Sequence, residues 1–366
     1  MNLIQEIFQH HGADYIRRYD QTIPSRHRKV ITAIQKCGTK ECGVHLFACD
    51  DCRDAHRTGS SCGNRHCPVC QAGKSDEWLH KQLDKILPVN YFMITFTVPQ
   101  ELRRIFRAQP EICYAALFKA AAGALKKLAK DPRHIGCETA GFTGILHTWT
   151  RQLEYHPHVH FIVPGGGLNQ EGTEWKSSGP EFFVPARPLS AIYRAKLIER
   201  LKEADITVPQ SVWEVDWVVD IRNVGDGKAA LTYLTQYVFR VAIAPSRVIK
   251  VADGKVTFRY QRSGEKKWRT SEIELFEFMR RYLQHILPHG FTKVRHYGFM
   301  SPNSKTPLQK IRELICRLYE ILIPLLPKKA LQKKKPWVCE HCGGHIRWHK
   351  FIPPKTVESI DSPALC

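Results

Sequence analysis

Three histidines stand at alternate positions in one short apolar stretch, where Tyr155 is followed by His156, His158 and His160. The apolar residues that follow and the glycines at 165–167 predict a buried strand that runs into a turn. Alternate side chains of a strand share one face, and neighbouring imidazoles here lie about 7 Å apart along the backbone. We predict that His158 and His160 bind Mg²⁺ or Mn²⁺, with His156, about 13 Å from His160, as a further candidate. Histidines that merely bond to polar neighbours are the alternative.

Two tyrosines at helical spacing are the second chemical feature. Residues 229–240 predict a helix on which Tyr233 and Tyr237 lie one turn apart on the same face. Such a pair usually packs in a core, but beside a divalent cation a phenol can attack a phosphodiester. Because imidazole alone suits a hard cation poorly, an oxygen ligand is also expected. The candidates are Gln236, Glu154 and Asp216.

Seven of the 13 cysteines lie between residues 37 and 70. Two Cys-x-x-Cys pairs, fourteen residues apart, have the spacing of a four-cysteine zinc site. The predicted ligands of this site are Cys49, Cys52, Cys67 and Cys70. A second, interleaved site is an open alternative, with Cys37, His45, Cys62 and His66 as its ligands, while His66 could instead contact phosphate. The tail carries half of such a site, in Cys339 and Cys342 with His341, His345 and His349 nearby.

The chain is strongly basic, with 55 Lys and Arg against 35 acids and a net charge of +20. This excess runs through the whole sequence and favours a nucleic acid partner over a membrane. There is no apolar run long enough to span a bilayer and no signal peptide pattern at the N-terminus, so a cytoplasmic location is expected. Cysteines in a reducing compartment indicate metal ligation rather than disulfides.

Taken in order, these motifs resemble the HUH endonucleases, which nick single-stranded DNA, and within them the IS91-family transposases. The resemblance rests on His158-Val159-His160, on the preceding strand 93–99 and on the tyrosine helix that follows. It also covers the cysteine-rich N-terminus and the stretches 286–291 and 294–298. The resemblance implies a ferredoxin-like antiparallel nuclease core, whereas the sequence pattern alone gives only an α+β fold.

We predict three domains from these features. Residues 1–78 form a helical, zinc-binding domain, 79–300 the nuclease and transposase domain, and 301–366 a helix, a basic linker and a Cys/His tail. Strands are expected at 87–98, 142–149 and 213–221, and helices at 112–130 and 188–204. Arg65, Arg240 and Arg295 are the predicted DNA contacts.

The resemblance implies rolling-circle transposition, in which a tyrosine attacks single-stranded DNA at the ends of the element and forms a 5′-phosphotyrosine. The oligomeric state stays open. A plasmid-type replication initiator or relaxase would share the nuclease core. A zinc-dependent DNA-binding protein without catalysis would explain the charge and the cysteines, and a metal-dependent hydrolase of another class would use the histidines with zinc.

Overall fold

The structure is a computed structural model that describes residues 2–71, 74–239, 241–262, 265, 267–320 and 337–354. The α-helices in these ranges are α1 (Leu3–Arg18), α2 (Ser25–Lys36), α3 (Lys74–Leu83), α4 (Gln100–Ala108), α5 (Pro110–Lys130), α6 (Ala186–Lys202), α7 (Lys228–Val238), α8 (Leu275–Leu283) and α9 (Leu308–Tyr319). None of the helices in the described ranges is long and apolar enough to cross a membrane.

The same ranges contain thirteen β-strands. They are β1 (Val44–Cys49), β2 (Ala55–Gly59), β3 (Tyr91–Thr97), β4 (Phe142–Trp149), β5 (Tyr155–Pro164), β6 (Gly166–Leu168), β7 (Trp175–Ser177), β8 (Val219–Asn223), β9 (Val248–Ala252), β10 (Lys255–Gln261), β11 (Trp268–Glu274), β12 (Val294–Tyr297) and β13 (Ile346–Ile352).

A five-stranded sheet with the order β12-β4-β5-β3-β8 occupies the middle of the chain, and every neighbouring pair in it is antiparallel. One face of this sheet is apolar because alternate residues of each strand point to it. Phe96, Val159 and Phe161 on that face form one core with Leu117 of α5 and Leu197 of α6. These two helices therefore cover the apolar face and bury its side chains.

The opposite face of the sheet carries the histidines and is covered at one end by α7. Ile145 of β4 and Ile162 of β5 pack there against Leu231 and Leu234 of α7. Ile162 lies two residues beyond His160 on the same strand, so the histidines share this face. We call it the histidine face.

The N-terminal helices do not stand apart from the rest of the molecule. Phe8 of α1 and Ile31 of α2 share a core with Phe258 of β10 and Phe278 of α8. Strands β9, β10 and β11 form the three-stranded sheet below that core. The predicted limits at 78 and 300 both cross packed regions, since Trp78 packs with α7 and Met300 with Ile311 of α9.

The tail returns to the beginning of the chain. Strand β13 pairs antiparallel with β1, which pairs in turn with β2, in a sheet ordered β13-β1-β2. The pairing runs from Val44 opposite Ile352 to Cys49 opposite Ile346. The tail, predicted as part of a separate C-terminal segment, thus completes a sheet of the N-terminal region.

The predicted α+β class with antiparallel sheets is confirmed. The strand predicted at 213–221 is wrong over its first half, because residues Gln210–Trp213 form a 3₁₀ turn and the strand begins at Val219. Trp213 and Trp217, which suggested strand alternation in the sequence, have separate contacts outside the strand. Trp217 is buried against Tyr193, and Arg194 stacks on the half-exposed Trp213.

Candidate functional site

Three histidines converge on the histidine face. His158 and His160 come from β5, as the alternation predicts, and His147 comes from the neighbouring β4. His147 lies directly opposite His158 in the antiparallel ladder, where facing side chains are closest. One nitrogen of each ring lies within 4.8 Å of those of the others, which is the spacing of ligands around one metal ion.

Hydrogen bonds orient two of the three rings. The Nδ1 of His158 donates to the carbonyl oxygen of His156 at 2.7 Å, because a carbonyl only accepts. The Nδ1 of His160 bonds to Oγ1 of Thr95, which stands opposite it on β3, at 2.8 Å. With Nδ1 occupied in both rings, the Nε2 lone pairs are the ones available for a metal ion, an arrangement typical of ligating histidines.

Burial holds these imidazoles in the form that binds metal. Desolvation lowers the pKa of His147 and His158 well below the ordinary value, and the neighbouring histidines add to the effect. Desolvation and the charge of Arg222 lower the pKa of His160 to about 4. All three rings are therefore neutral at pH 7, as a ligand must be.

The other predicted ligands lie outside this cluster. His156 sits on β5 beside His158, with ring centroids 5.2 Å apart, but it does not join the group of converging nitrogens. Glu154 and Asp216 are exposed on the surface and are likewise not part of it. On β8, Asp220 faces Thr95 across the ladder, with its carboxylate 2.7 Å from Arg222. The described residues thus offer an all-imidazole donor set, with an ion pair two strands away.

The tyrosine helix is the predicted one, and it lies over the histidine face. Gly227 starts α7 with a φ of 76°, a conformation that favours glycine. Leu231 and Leu234 face the sheet, while the side chain of Tyr233 is 39% exposed. Tyr237 belongs to the same helix, but its side chain and that of Gln236 lie outside the described residues.

The cysteines form two four-sulfur clusters, neither of which is the predicted group. Cys37 at the end of α2 joins Cys62, Cys67 and Cys70, and Cys49 and Cys52 join Cys339 and Cys342. The sulfurs of each cluster lie within 4.8 Å of one another. The grouping of Cys49 and Cys52 with Cys67 and Cys70 is therefore wrong, because the two Cys-x-x-Cys pairs face different partners.

The histidines proposed as zinc ligands have other partners. His66 is buried, and its Nε2 accepts a hydrogen bond from the backbone N–H of Leu287 at 3.1 Å. The Nδ1 of His45 accepts one from Nε1 of Trp348 on β13 at 3.3 Å. The interleaved site is thus corrected to four cysteines, with Cys67 and Cys70 in place of the two histidines.

Two of the predicted DNA contacts have partners within the protein. Arg65 is exposed, but one guanidinium nitrogen donates to the carbonyl of Phe291 at 2.7 Å. Arg295 lies opposite Gly144, on the apolar side of the sheet, with its guanidinium over the rings of Phe118 and Phe291. Arg65 thus bonds to backbone and Arg295 lies over aromatic rings, while Arg240 lies outside the described residues.

Sequence reasoning missed His147 and the pairing of the tail with the N-terminal cysteines. His147 alternates with Ile145 on its strand, but only the register of β4 against β5 places it opposite His158. The signal for the tail was the Cys339-x-x-Cys342 pair itself. Its partners are far away in sequence, since Cys52 and Cys339, which contact each other, are 287 residues apart.

Comparisons with known proteins agree on one group. A family model described as a transposase zinc-binding domain matches residues 7–98, and one described as "Putative transposase" matches residues 141–307. The chain is 35% identical over 320 residues to "Putative transposase y4qJ" of Sinorhizobium fredii, covering 81% of this chain and 80% of that protein. It is 25% identical over 363 residues to the transposase for insertion sequence element IS801 of Pseudomonas savastanoi pv. phaseolicola, covering 91% and 86%. No solved structure matches significantly.

Proposed function

Because the chain belongs to the IS91 family of transposases, we propose that it cleaves single-stranded DNA at the ends of its element with a tyrosine nucleophile and a divalent cation. The observation that carries this proposal is the cluster of His147, His158 and His160 on the sheet face that α7 covers. This arrangement supports the proposal because three candidate metal ligands and the helix α7 lie on the same side of one sheet.

The donor set fits a divalent cation. Three neutral imidazoles, two of them oriented by hydrogen bonds, can bind the ion and leave its remaining positions for phosphate oxygens and water. Imidazole suits Mn²⁺ better than Mg²⁺, because Mg²⁺ strongly prefers oxygen ligands. When bound, the ion supplies Lewis acid polarisation of the scissile phosphate.

Tyr233 or Tyr237 performs the substitution in this proposal. The phenolic oxygen forms a bond to phosphorus and loses its proton, and the bond from phosphorus to the 3′ oxygen of the preceding nucleotide breaks. The products are a 5′-phosphotyrosine and a free 3′-OH, so the phosphodiester energy is kept for rejoining. With two tyrosines on one helix, two DNA ends can be held in sequence during rolling-circle transposition.

We assign the nuclease core to the ferredoxin-like class. The elements β3, α5, β4, β5, α6 and β8 have the order β-α-β-β-α-β, with α4 inserted after β3, β6 and β7 inserted after β5, and β12 added at one edge of the sheet. The first and third strands of this unit, β3 and β5, are central neighbours, and β4 and β8 flank them. This order supports the assignment because it is the split β-α-β pattern.

We propose that Cys37, Cys62, Cys67 and Cys70 bind zinc in the matched zinc-binding domain. Their contacts include Sγ–Sγ distances of 3.5 Å from Cys70 to both Cys37 and Cys62. Four sulfurs at about 2.3 Å from a tetrahedral Zn²⁺ lie about 3.8 Å from one another, so the cluster fits with little adjustment. This domain is a candidate for recognition of the element's DNA.

A basic, aromatic pocket adjoins the start of the histidine strand and supports DNA binding. Its volume is about 280 Å³. The walls include Arg26, Arg107 and Arg280, together with the partly exposed Tyr19 and Tyr155 and the buried Tyr15 and Tyr114. Arginines that neutralise phosphate and partly exposed rings on which a base can stack suit single-stranded DNA. We propose that the single-stranded DNA passes this pocket on its way to the metal site.

Labels at the two ends of an oligonucleotide test the reaction. The protein is incubated with Mn²⁺ and single-stranded DNA from the element's ends, labelled at either the 3′ or the 5′ end. A 5′-phosphotyrosine leaves the 3′ label on the protein in a denaturing gel and releases the 5′-labelled fragment with an extendable 3′-OH. Changing both tyrosines to phenylalanine should abolish the adduct and leave DNA binding intact.

Other outcomes would identify the competing functions. Cleavage by the double phenylalanine variant, stimulated best by Zn²⁺ and leaving both labels free, would indicate a metal-dependent hydrolase. DNA binding without any cleavage by the wild-type protein, under all metals tried, would indicate a DNA-binding protein without catalysis.

A further inference from the structure

The second cysteine cluster joins the two ends of the chain. Cys49 ends β1 and Cys52 follows it, and Cys339 and Cys342 precede β13. Two contacts between the pairs have Sγ–Sγ distances of 3.4 Å, from Cys49 to Cys342, and 3.8 Å, from Cys52 to Cys339. These are too long for a disulfide, which needs about 2.05 Å. They are close to the edge of a zinc tetrathiolate, about 3.8 Å.

Backbone N–H groups converge on these sulfurs from both sides. Those of Asp51 and Cys52 bond to the sulfur of Cys49, and that of Gly344 bonds to the sulfur of Cys342. The backbone around each Cys-x-x-Cys pair therefore directs N–H groups at a sulfur of that pair.

The two half-sites, one from each Cys-x-x-Cys pair, approach closely at Gly344, where a larger residue would displace the Asp51 side chain and crowd the sulfur of Cys49. A Cβ added at Gly344 would lie 2.3 Å from Oδ2 of Asp51 and 3.0 Å from Sγ of Cys49. Nearby, the N–H of Asp50 donates to the carbonyl of His345 at 2.9 Å, and Arg347 pairs with Asp50 at 2.7 Å. The tail thus contacts the N-terminal half-site through backbone, charge and sulfur together.

Hydrophobic burial alone gives the tail little to hold it. Along β13 the residues 347–351 are all exposed, and only Ile352 is fully buried. The partner strand β1 is itself only partly buried, except at Cys49. Sheets with so little core usually depend on a metal or a covalent link for their stability.

We propose that Cys49, Cys52, Cys339 and Cys342 form a second zinc site that fastens the C-terminal tail to the N-terminal zinc-binding domain. The family match to that domain ends at residue 98 and includes only half of these ligands. The complete zinc-binding unit therefore consists of both ends of the chain, with the nuclease core between them. His341 and His349 are not needed as ligands, and they are absent from the cluster.

Metal counting on the full-length chain tests this site. Protein purified with zinc under reducing conditions is analysed by mass spectrometry of the bound metal, and every chain in the series also carries His158→Ala and His160→Ala, so that zinc in the histidine cluster is not counted. The chain with all its cysteines and the control Cys316→Ala, a buried cysteine outside both clusters, should hold two zinc ions each. C49S/C52S and C339S/C342S should each hold one. The variant in which all four cysteines are changed to serine should also hold one zinc ion, since both pairs belong to the same site.

Two results would overturn the proposal. One is a tail variant that keeps two zinc ions, and the other is a four-fold variant that has lost both ions while each pair alone loses one. Hydrogen exchange guards against general misfolding. In C339S/C342S, exchange should rise in residues 44–49 and stay unchanged in β4 and β5. If the serine variants prove too unstable to purify, Gly344→Ala in the same series keeps all four donors and should release one of its two ions to a chelator faster than the same chain with Gly344 does. Equal release rates would contradict the proposal.

Discussion

Thr95 provides a selective test of the metal centre, because its side chain bonds to His160, one member of the histidine cluster. Its Oγ1 lies 2.8 Å from Nδ1 of His160. Thr95→Val keeps the β-branched shape and removes only the hydroxyl. Loss of such an outer partner typically weakens metal binding about 10- to 100-fold, or about 1.4–2.8 kcal/mol. We expect this weakening for Mn²⁺.

The chain offers a matched control in Thr143. Its Oγ1 bonds to Nδ1 of His296 at 2.9 Å, on the same sheet face but with a histidine outside the cluster. Each substitution should lower the free energy of unfolding by about 1 kcal/mol, because each removes one hydrogen bond. Only Thr95→Val should change metal affinity.

The assay is a Mn²⁺ titration followed by electron paramagnetic resonance of the free ion, with chemical denaturation run in parallel. A tenfold or greater rise in the dissociation constant for Thr95→Val, with no change for Thr143→Val, is the expected result. Equal affinities in the two variants would refute the assignment of His160 as an oriented ligand.

Two further predictions concern residues that the structure separates. His147→Ala should abolish Mn²⁺ binding and the DNA adduct, whereas His156→Ala should retain both. The Mn²⁺ titration measures the first property and the denaturing gel the second. The opposite pattern would mean that His156, and not His147, completes the metal site with His158 and His160. Glu277, on α8, bonds to Arg280 and Arg281 at 2.6 and 2.7 Å, which lowers its pKa to about 2. A depressed carboxyl pKa stabilises the fold above the unfolded value, and this contribution is lost as the pH falls through about 2. Glu277→Gln should therefore lower the free energy of unfolding by about 1 kcal/mol at pH 7, after allowance for solvent screening, and leave it unchanged near pH 2. Chemical denaturation of both proteins across this pH range measures the difference. A difference that does not change with pH would count against the ion pair.

The local features of the site follow from the sequence, and the long-range ones do not. Alternation along β5 was enough to place His158 and His160 on one face, and apolar spacing was enough to find α7. Both signals act within a few residues. His147 needed the register between two strands, which depends on a bulge between His147 and Trp149 and on packing of the whole sheet.

The cysteines show the same limit more sharply. Spacing identifies a Cys-x-x-Cys pair as half of a metal site, but it carries no information about which other pair completes it. Two adjacent pairs, Cys49 with Cys52 and Cys67 with Cys70, turned out to face different partners. His66 and Arg65 were attractive as a ligand and a DNA contact for their chemistry alone, while the fold uses both to hold backbone groups of the segment 287–291.

The most direct test of the central claim is to locate the DNA on the protein. After reaction with Mn²⁺ and single-stranded DNA from the element's ends, the adduct is trimmed with nuclease, digested with trypsin and sequenced by mass spectrometry. The account predicts a nucleotide phosphate on Tyr233 or Tyr237, within the tryptic peptide 229–240. Attachment to a residue outside that peptide would contradict it, as would efficient cleavage that leaves no nucleotide on the protein.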